Sequence, residues 1–309
     1  MGGSYNMKGY KKIMRTERAN AKINLYLDVV SRRSNGYHNL VSIMQTLSLC
    51  DLVTLDYRPA DHTSISLSAS GNAEMPTDRR NLAWRAADLF LGETKRTGEV
   101  RIFIEKHIPM AAGLAGGSAD AAAVLRGLNV LCGSPLTVEQ LCALGARLGA
   151  DVPFCIVGGM ALVTGIGENL EFLSPMKDCP MVVACQGEGV STVWAYGKLD
   201  EKYCNFSVPK EASTVPDRLA ELLANGDFEA SKTLLFNLFE DVVPGVQPCV
   251  DPLKQTMLDF GATASMMSGS GPSVFGIFAS ASDAEKACES LQKAGASAFV
   301  CHPCGKYAI

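Results

Sequence analysis

Pro109-Met110-Ala111-Ala112-Gly113-Leu114-Ala115-Gly116-Gly117-Ser118 runs without a break into Ala119-Asp120-Ala121-Ala122-Ala123-Val124-Leu125-Arg126, and this stretch decides the fold. The first half is a loop of small residues. The second half carries a helical pattern to about Leu131. Glycines let backbone N–H groups come close to a ligand. The helix behind them offers unpaired N–H groups and the positive end of its dipole to the loop. Together they form an anion cradle suited to phosphates. Ser118 adds a hydroxyl for a phosphate oxygen or Mg²⁺. The plainer reading is a packing loop whose small residues only permit close contact. The proline ahead of the loop and the alanine-rich helix after it favour phosphate. No lysine follows the last glycine, so this is not a Walker A loop. Nor is it the dinucleotide fingerprint, which needs G-x-G-x-x-G after a parallel strand. Cationic help for the phosphates must therefore come from elsewhere in the chain.

Working outward, Ala19–Val30 reads as a strand and Ser34-Asn35-Gly36 as a turn. Val41–Leu49, Leu52–Tyr57, Ser64–Ser68 and Val100–Lys106 read as further strands. Asn81–Lys95 carries apolar residues at helical spacing, with Asp78 or Asn81 as its cap. Thr137–Leu148 is a helix opened by a capping box, Thr137 with Gln140. A strand follows at Met181–Cys185. Asp200–Pro216 is polar and reads as a long exposed connection. Helices are expected at Asp217–Ala224, Phe228–Leu238 and Pro252–Phe260. The chain then reads strand (Ala264–Met267), turn (Ser268-Gly269-Ser270-Gly271-Pro272), strand (Ser273–Phe278), helix (Ser282–Ala294) and strand (Ala298–Cys301). That order predicts helices packed on an antiparallel sheet, an α+β arrangement.

The chain has 309 residues, 47% of them hydrophobic, and a net charge of −4. This length predicts two lobes, with a tail over 1–18, an N-terminal lobe over 19–165 and a C-terminal lobe over 166–309. No basic stripe is present, which argues against a nucleic-acid partner. Apolar runs are broken well before membrane-spanning length, which argues against a membrane helix. The basic segment Met1–Arg18 lacks the apolar stretch of a secretion signal and reads as an expression remnant or frayed tail rather than a transit peptide. The 11 cysteines are odd in number and irregularly spaced. They read as reduced thiols of a cytoplasmic protein. Cys301 and Cys304 form a C-x-x-C around His302, but no second pair follows to complete a zinc site, so chance spacing is expected.

Three further features bear on chemistry. Lys22 and Asn24 share one face of an otherwise apolar strand. Solvent-facing alternation is the plainer meaning, and a cation for phosphate is the functional one. Asp151 stands alone in Leu148-Gly149-Ala150-Asp151-Val152-Pro153-Phe154-Cys155. It reads either as a helix N-cap ahead of a proline or, beside a lysine, as an ionised carboxylate that accepts a hydroxyl proton. Met267-Ser268-Gly269-Ser270-Gly271-Pro272 reads either as a plain hairpin turn or as a second backbone surface against the phosphates or the acceptor.

In this order, the motifs resemble the superfamily of galactokinase, homoserine kinase, mevalonate kinase and phosphomevalonate kinase. Pro109–Ser118 is similar to its phosphate loop and Ser268–Pro272 to its late glycine-rich loop. Ala21-Lys22-Ile23-Asn24-Leu25-Tyr26-Leu27, Arg33-Ser34-Asn35-Gly36-Tyr37-His38 and Gly149–Phe154 narrow the likeness, over residues 19 to 300, to the kinases of 4-diphosphocytidyl-2-C-methyl-D-erythritol. The resemblance implies a two-lobed fold: a β-rich N-terminal lobe, a C-terminal lobe of helices on an antiparallel sheet, and the site between them. It implies phosphorylation of the substrate's 2-hydroxyl in the non-mevalonate isoprenoid route. Asp151 would be the base, Lys22 would orient and charge it, and the donor would be ATP with Mg²⁺, for which no protein ligand is assigned. It implies that Tyr37 and His38 meet the cytidine end, where a flat ring stacks and an imidazole reads a base edge. Asn24 and Ser268, Gly269, Ser270 and Gly271 would hold the substrate, while Pro109–Ser118 and Asn81 would hold ATP.

Two departures carry expectations. Ala111, Ala112 and Ala115 stand where many members carry glycine. Alanine resists positive φ, so unstrained geometry or a shifted loop is expected there. Asp120, in the first turn of the helix, either binds Mg²⁺ or points away. Two other readings remain. The first is a superfamily kinase for another small alcohol, such as homoserine or mevalonate, which would have no use for a pyrimidine pocket at Tyr37-His38. The second is a non-catalytic relative, which would have no reason to keep both Lys22 and Asp151.

Overall fold

The computed structural model describes residues 14–71, 74–206 and 214–308. Two long strands come first, β1 (Met14–Arg32) and β2 (His38–Pro59), joined by a turn at Gly36 with φ of 87°. The strand expected at Ala19 starts at Met14, so Met14–Arg18 is paired with Leu52–Asp56 rather than frayed. Residues 1–13 lie outside the described residues. The two strands expected over 41–57 are one. Asp51 does not break it, because its carboxylate accepts the backbone N–H of His107 and Ile108 at 2.6 and 2.8 Å.

Next come β3 (Ser64–Ser70), α1 (Leu82–Glu93), β4 (Gly98–Glu105), α2 (Gly116–Leu131), α3 (Val138–Ala146), α4 (Val152–Val157), β5 (Met160–Gly165) and β6 (Asn169–Phe172). Thr137 and Gln140 form the expected capping box on α3. The strand order in the first sheet is β3-β4-β2-β1. The far half of β2 pairs with β4, and its near half, Leu40–Gln45, pairs with β5. Helix α2 lies across β1 and β2 and packs on α1 and α4. Its Ala121, Ala122 and Ala123 are fully buried. Their small side chains let the helix sit close to the sheet.

The second sheet is antiparallel, in the order β11 (Ser297–Cys301), β7 (Met181–Cys185), β10 (Val274–Phe278), β9 (Ala262–Met267), as the terminal pattern predicts, but with β7 inserted between β10 and β11. After β7 come α5 (Thr192–Lys202), α6 (Val215–Asn225), α7 (Phe228–Ser231), β8 (Phe236–Asn237), α8 (Val250–Asp259), β9 (Ala262–Met267), β10 (Val274–Phe278), α9 (Ala281–Lys293) and β11 (Ser297–Cys301). Helices α8 and α9 cover this sheet. The long connection expected from Asp200 begins later, since α5 runs to Lys202; its residues 207–213 lie outside the described ones.

The helix expected over Phe228–Leu238 is a correction. Only Phe228–Ser231 is helical, and Phe236–Asn237 pairs parallel to β1 as an outer strand of the first sheet. Asn237 is the reason. Its Nδ2 donates to the carbonyls of Met267 and Gly269 at 2.8 and 2.9 Å, and its Oδ1 accepts from Phe239 N. Those buried bonds hold the chain extended against its local helical pattern.

Candidate active site

The N-terminus of α2 is open. Ala115 occupies its N-cap position with φ 56° and ψ 28°, and no side chain caps the helix. Asn81, Thr137, Ser191 and Ser280, by contrast, cap α1, α3, α5 and α9 with side-chain oxygens. The first-turn N–H groups of α2 are thus left for an anion. They border a cavity of about 510 Å³ lined by Gly116, Gly117 and Ser118. Of the two outcomes expected at the loop alanines, unstrained geometry or a shifted loop, unstrained geometry does not hold at two of the three. Ala111 and Ala115 hold φ of 52° and 56°; only Ala112 does not. Left-handed backbone costs an alanine about 1 kcal/mol, and this turn is what aims the helix end at the cavity.

Two glycine-rich loops meet here. A Cβ on Gly113 would lie 2.2 Å from the Ser268 carbonyl oxygen, so only glycine fits. Ser268 Oγ donates to Gly113 O at 3.2 Å, and Ser273 N donates to Ala112 O at 3.3 Å. Ser268 and Gly271 frame the contact, while Gly269 and Ser270 reach the cavity wall. Leu114 turns away into the core.

Lys22 and Asn24 sit on β1 between two register shifts, at Asn20/Lys22 and Asn24/Tyr26. Such bulges re-aim side chains next to functional sites. Lys22 Nζ donates to Asn24 Oδ1 at 2.7 Å and to Gly113 O at 3.2 Å. Its carboxylate partner is Asp151 Oδ2 at 3.8 Å. Asp151 holds the N-cap position of α4 but makes no side-chain cap bond. About a third of its side chain is exposed, whereas Lys22 is almost fully buried (32% against 6%). Both line the cavity, as does Asn24. The sequence separates Lys22 from Asp151 by more than a hundred residues, and the fold brings them together at the mouth of the phosphate loop.

A second cation in the wall, Lys106, was not read from the sequence. Its Nζ lies 2.5 Å from Asp51 Oδ2 and 2.7 Å from Asp120 Oδ2, all three residues being buried. Asp120 therefore faces Lys106. Burial pushes the Asp120 carboxyl up to about 7, against the opposing pull of Lys106. For Lys106, burial opposes the charge, but Asp120 and Asp51 outweigh it and raise its pKa. Asp120 Oδ1 is buried without a hydrogen-bond partner. A lysine closing the strand before the loop was the available sequence signal.

Of the remaining expected site residues, Asn81 lines the cavity, but its amide is engaged within the protein at both ends, by Ala83 N and Pro76 O. Tyr37 and His38 do not line the cavity. Tyr37 is 60% exposed. His38 is buried, and its ring stacks on Tyr196 at 4.7 Å. Tyr196, on the unanticipated α5, does line the cavity, with Thr192. Ser191 ahead of the Trp194/Ala195/Leu199 spacing was the overlooked helix signal. Among the described residues, no group of three or more His, Cys, Asp or Glu side chains is placed to hold a metal. Neither is any helix long and apolar enough to cross a membrane.

Residues 81–159 match the GHMP kinases N terminal domain, and residues 219–297 match the GHMP kinases C terminal region. A relative from Synechococcus sp. (strain JA-2-3B'a(2-13)) named 4-diphosphocytidyl-2-C-methyl-D-erythritol kinase is 45% identical over 89% of this chain and 88% of its own. One of the same name from Alkaliphilus metalliredigens is 42% identical over 89% of this chain and 91% of its own. The crystal structure of 4-(cytidine 5'-diphospho)-2C-methyl-D-erythritol kinase matches with a TM-score of 0.77 at 33% identity, covering 94% of this chain and 100% of that one. The fold extends further, to homoserine kinase from Cytophaga hutchinsonii, with a TM-score of 0.71 at 19% identity over 98% of each chain.

Proposed function

This chain belongs to the GHMP kinase family, and from that premise we propose that Lys22 and Asp151 transfer the γ-phosphate of ATP to the 2-hydroxyl of 4-diphosphocytidyl-2-C-methyl-D-erythritol. The chain is a phosphotransferase with ATP as donor. Phosphoryl transfer asks for positioning and charge neutralisation more than covalent chemistry. One observation carries the residue assignment: a carboxylate and an ammonium 3.8 Å apart beside an uncapped helix N-terminus on one cavity. In this reading the N–H groups of Gly116, Gly117 and Ser118 hold the phosphates. Asp151 positions the acceptor hydroxyl and takes its proton. Lys22, 3.8 Å from that carboxylate, orients it and meets the charge of the moving phosphoryl group. Asn24 and the Gly269-Ser270 backbone hold the acceptor, and Tyr37 and His38 hold its cytosine.

Mg²⁺ fits the oxygen donors of the phosphate end. Ser118, Asp120 and Asp151 line the same cavity, and Asp120 Oδ1 is an orphaned buried oxygen. Few carboxylates plus substrate phosphates are what Mg²⁺ takes. When bound, it would neutralise phosphate charge. The two-lobe division at 165 and a cytoplasmic location belong to the same proposal, with the β5–β6 hairpin crossing residue 165 within the first sheet.

An ADP-release assay against a panel tests this. Turnover is expected with the cytidyl-methylerythritol substrate and not with homoserine, mevalonate or galactose. Preferred turnover of homoserine or mevalonate would overturn it.

A further inference from the structure

His38 opens β2 and Asp200 lies near the end of α5, so their contact joins the two halves of the chain. His38 Nε2 lies 2.7 Å from Asp200 Oδ1. An ionised carboxylate only accepts, so Nε2 carries the hydrogen. In the neutral ring, Nδ1 is then an acceptor. Arg32 Nε lies 3.5 Å from the other carboxylate oxygen, Asp200 Oδ2. The ring is not free to turn. Tyr196 covers one face at an interplanar angle of 16°, and Phe206 meets it edge-on at 80°. Among the described residues no partner is found for Nδ1.

We propose that Asp200 is a positioning residue that fixes His38 as an acceptor at Nδ1 and so selects a pyrimidine with an exocyclic amino group over one with a carbonyl in its place. The inference rests on the reading of His38 as a contact of the substrate base. Cytosine presents a donor at that edge and uracil an acceptor. Uracil would set acceptor against acceptor, and both groups would lose a partner.

The experiment measures KM and kcat for the cytidine-diphosphate substrate and its uridine analogue. Asp200→Asn is nearly isosteric, yet its amide can either accept from Nε2 or donate to it, so the tautomer is released. The expected result is a drop of about tenfold in KM for the uridine analogue, so that the ratio of the two KM values narrows by that factor or more. Structural damage alone gives no such gain. Asp200→Glu, which keeps the carboxylate, retains the wild-type preference. Should Asp200→Asn move both KM values together, the inference is overturned. His38→Ala separates the two readings. If it leaves the cytidine KM unchanged, the base-pocket reading fails and the inference with it. If it raises that KM while Asp200→Asn leaves the preference intact, only the inference fails.

Discussion

Two lysines are buried against the same phosphate loop, and they are held in opposite ways. Lys106, beneath Gly116, is matched by two carboxylates within 2.7 Å. Lys22, beside Gly113, has one carboxylate at 3.8 Å and otherwise neutral acceptors. A cation already shared by two carboxylates has little attraction left for a ligand. A cation with a distant partner keeps its charge available, and so does that partner. The contrast separates a residue that shapes the loop from a pair that can act on what the loop holds.

The largest expected effect removes the loosely held partner. Asp151→Ala should lower kcat by about 10²–10⁴-fold while ATP binding, measured by titration, stays near wild type. Gly113→Ala comes next, because its methyl would strike the Ser268 carbonyl and part the two glycine-rich loops. A displacement of that kind is expected to cost about 10²-fold in kcat/KM; unchanged kinetics would show that the loop contact is not needed.

The smallest effect lies on the tightly held side. Asp120 is pushed up to about 7 by burial against the pull of Lys106. Between its unfolded value near 4 and that folded value, the folded chain holds a proton that the unfolded chain has lost. Its contribution to stability is therefore complete at acid pH and falls as pH rises toward 7. Denaturant unfolding at pH 5 and pH 8 should show the wild type losing about 1–3 kcal/mol more than Asp120→Asn across that window. Equal losses would mean that Asp120 ionises normally.

Much of this arrangement is legible in the sequence, though unevenly. Local signals are read well: the capping box at Thr137, the glycine loop feeding α2, and the β9-turn-β10-α9-β11 order. Readings that depend on partners far along the chain are not. The bulges that aim Lys22 and Asn24 exist only because β1 slips against β2. Lys106 looks like an ordinary strand end until Asp51 and Asp120 converge on it. The positive φ of Ala111 and Ala115 defies alanine's own preference and is imposed by the loop's surroundings. Asn237 unwinds a helical pattern through bonds to a loop thirty residues later. Tyr37 and His38 are identified by resemblance, but their geometry includes Tyr196 and Asp200 from a helix the sequence reading passed over.

The central claim is tested most directly by measuring kcat and Tm side by side for Lys22→Met and Lys106→Met. Lys22→Met is expected to lose about 10²-fold or more in kcat and to unfold close to the wild-type Tm. Lys106→Met strands the buried Asp51, whose Oδ1 accepts two backbone N–H groups, and should lose about 3–5 kcal/mol of stability, seen as a clear drop in Tm. If instead Lys22→Met turned over normally, or the two variants lost kcat and Tm alike, the division between a shaping lysine and a reacting pair would be contradicted.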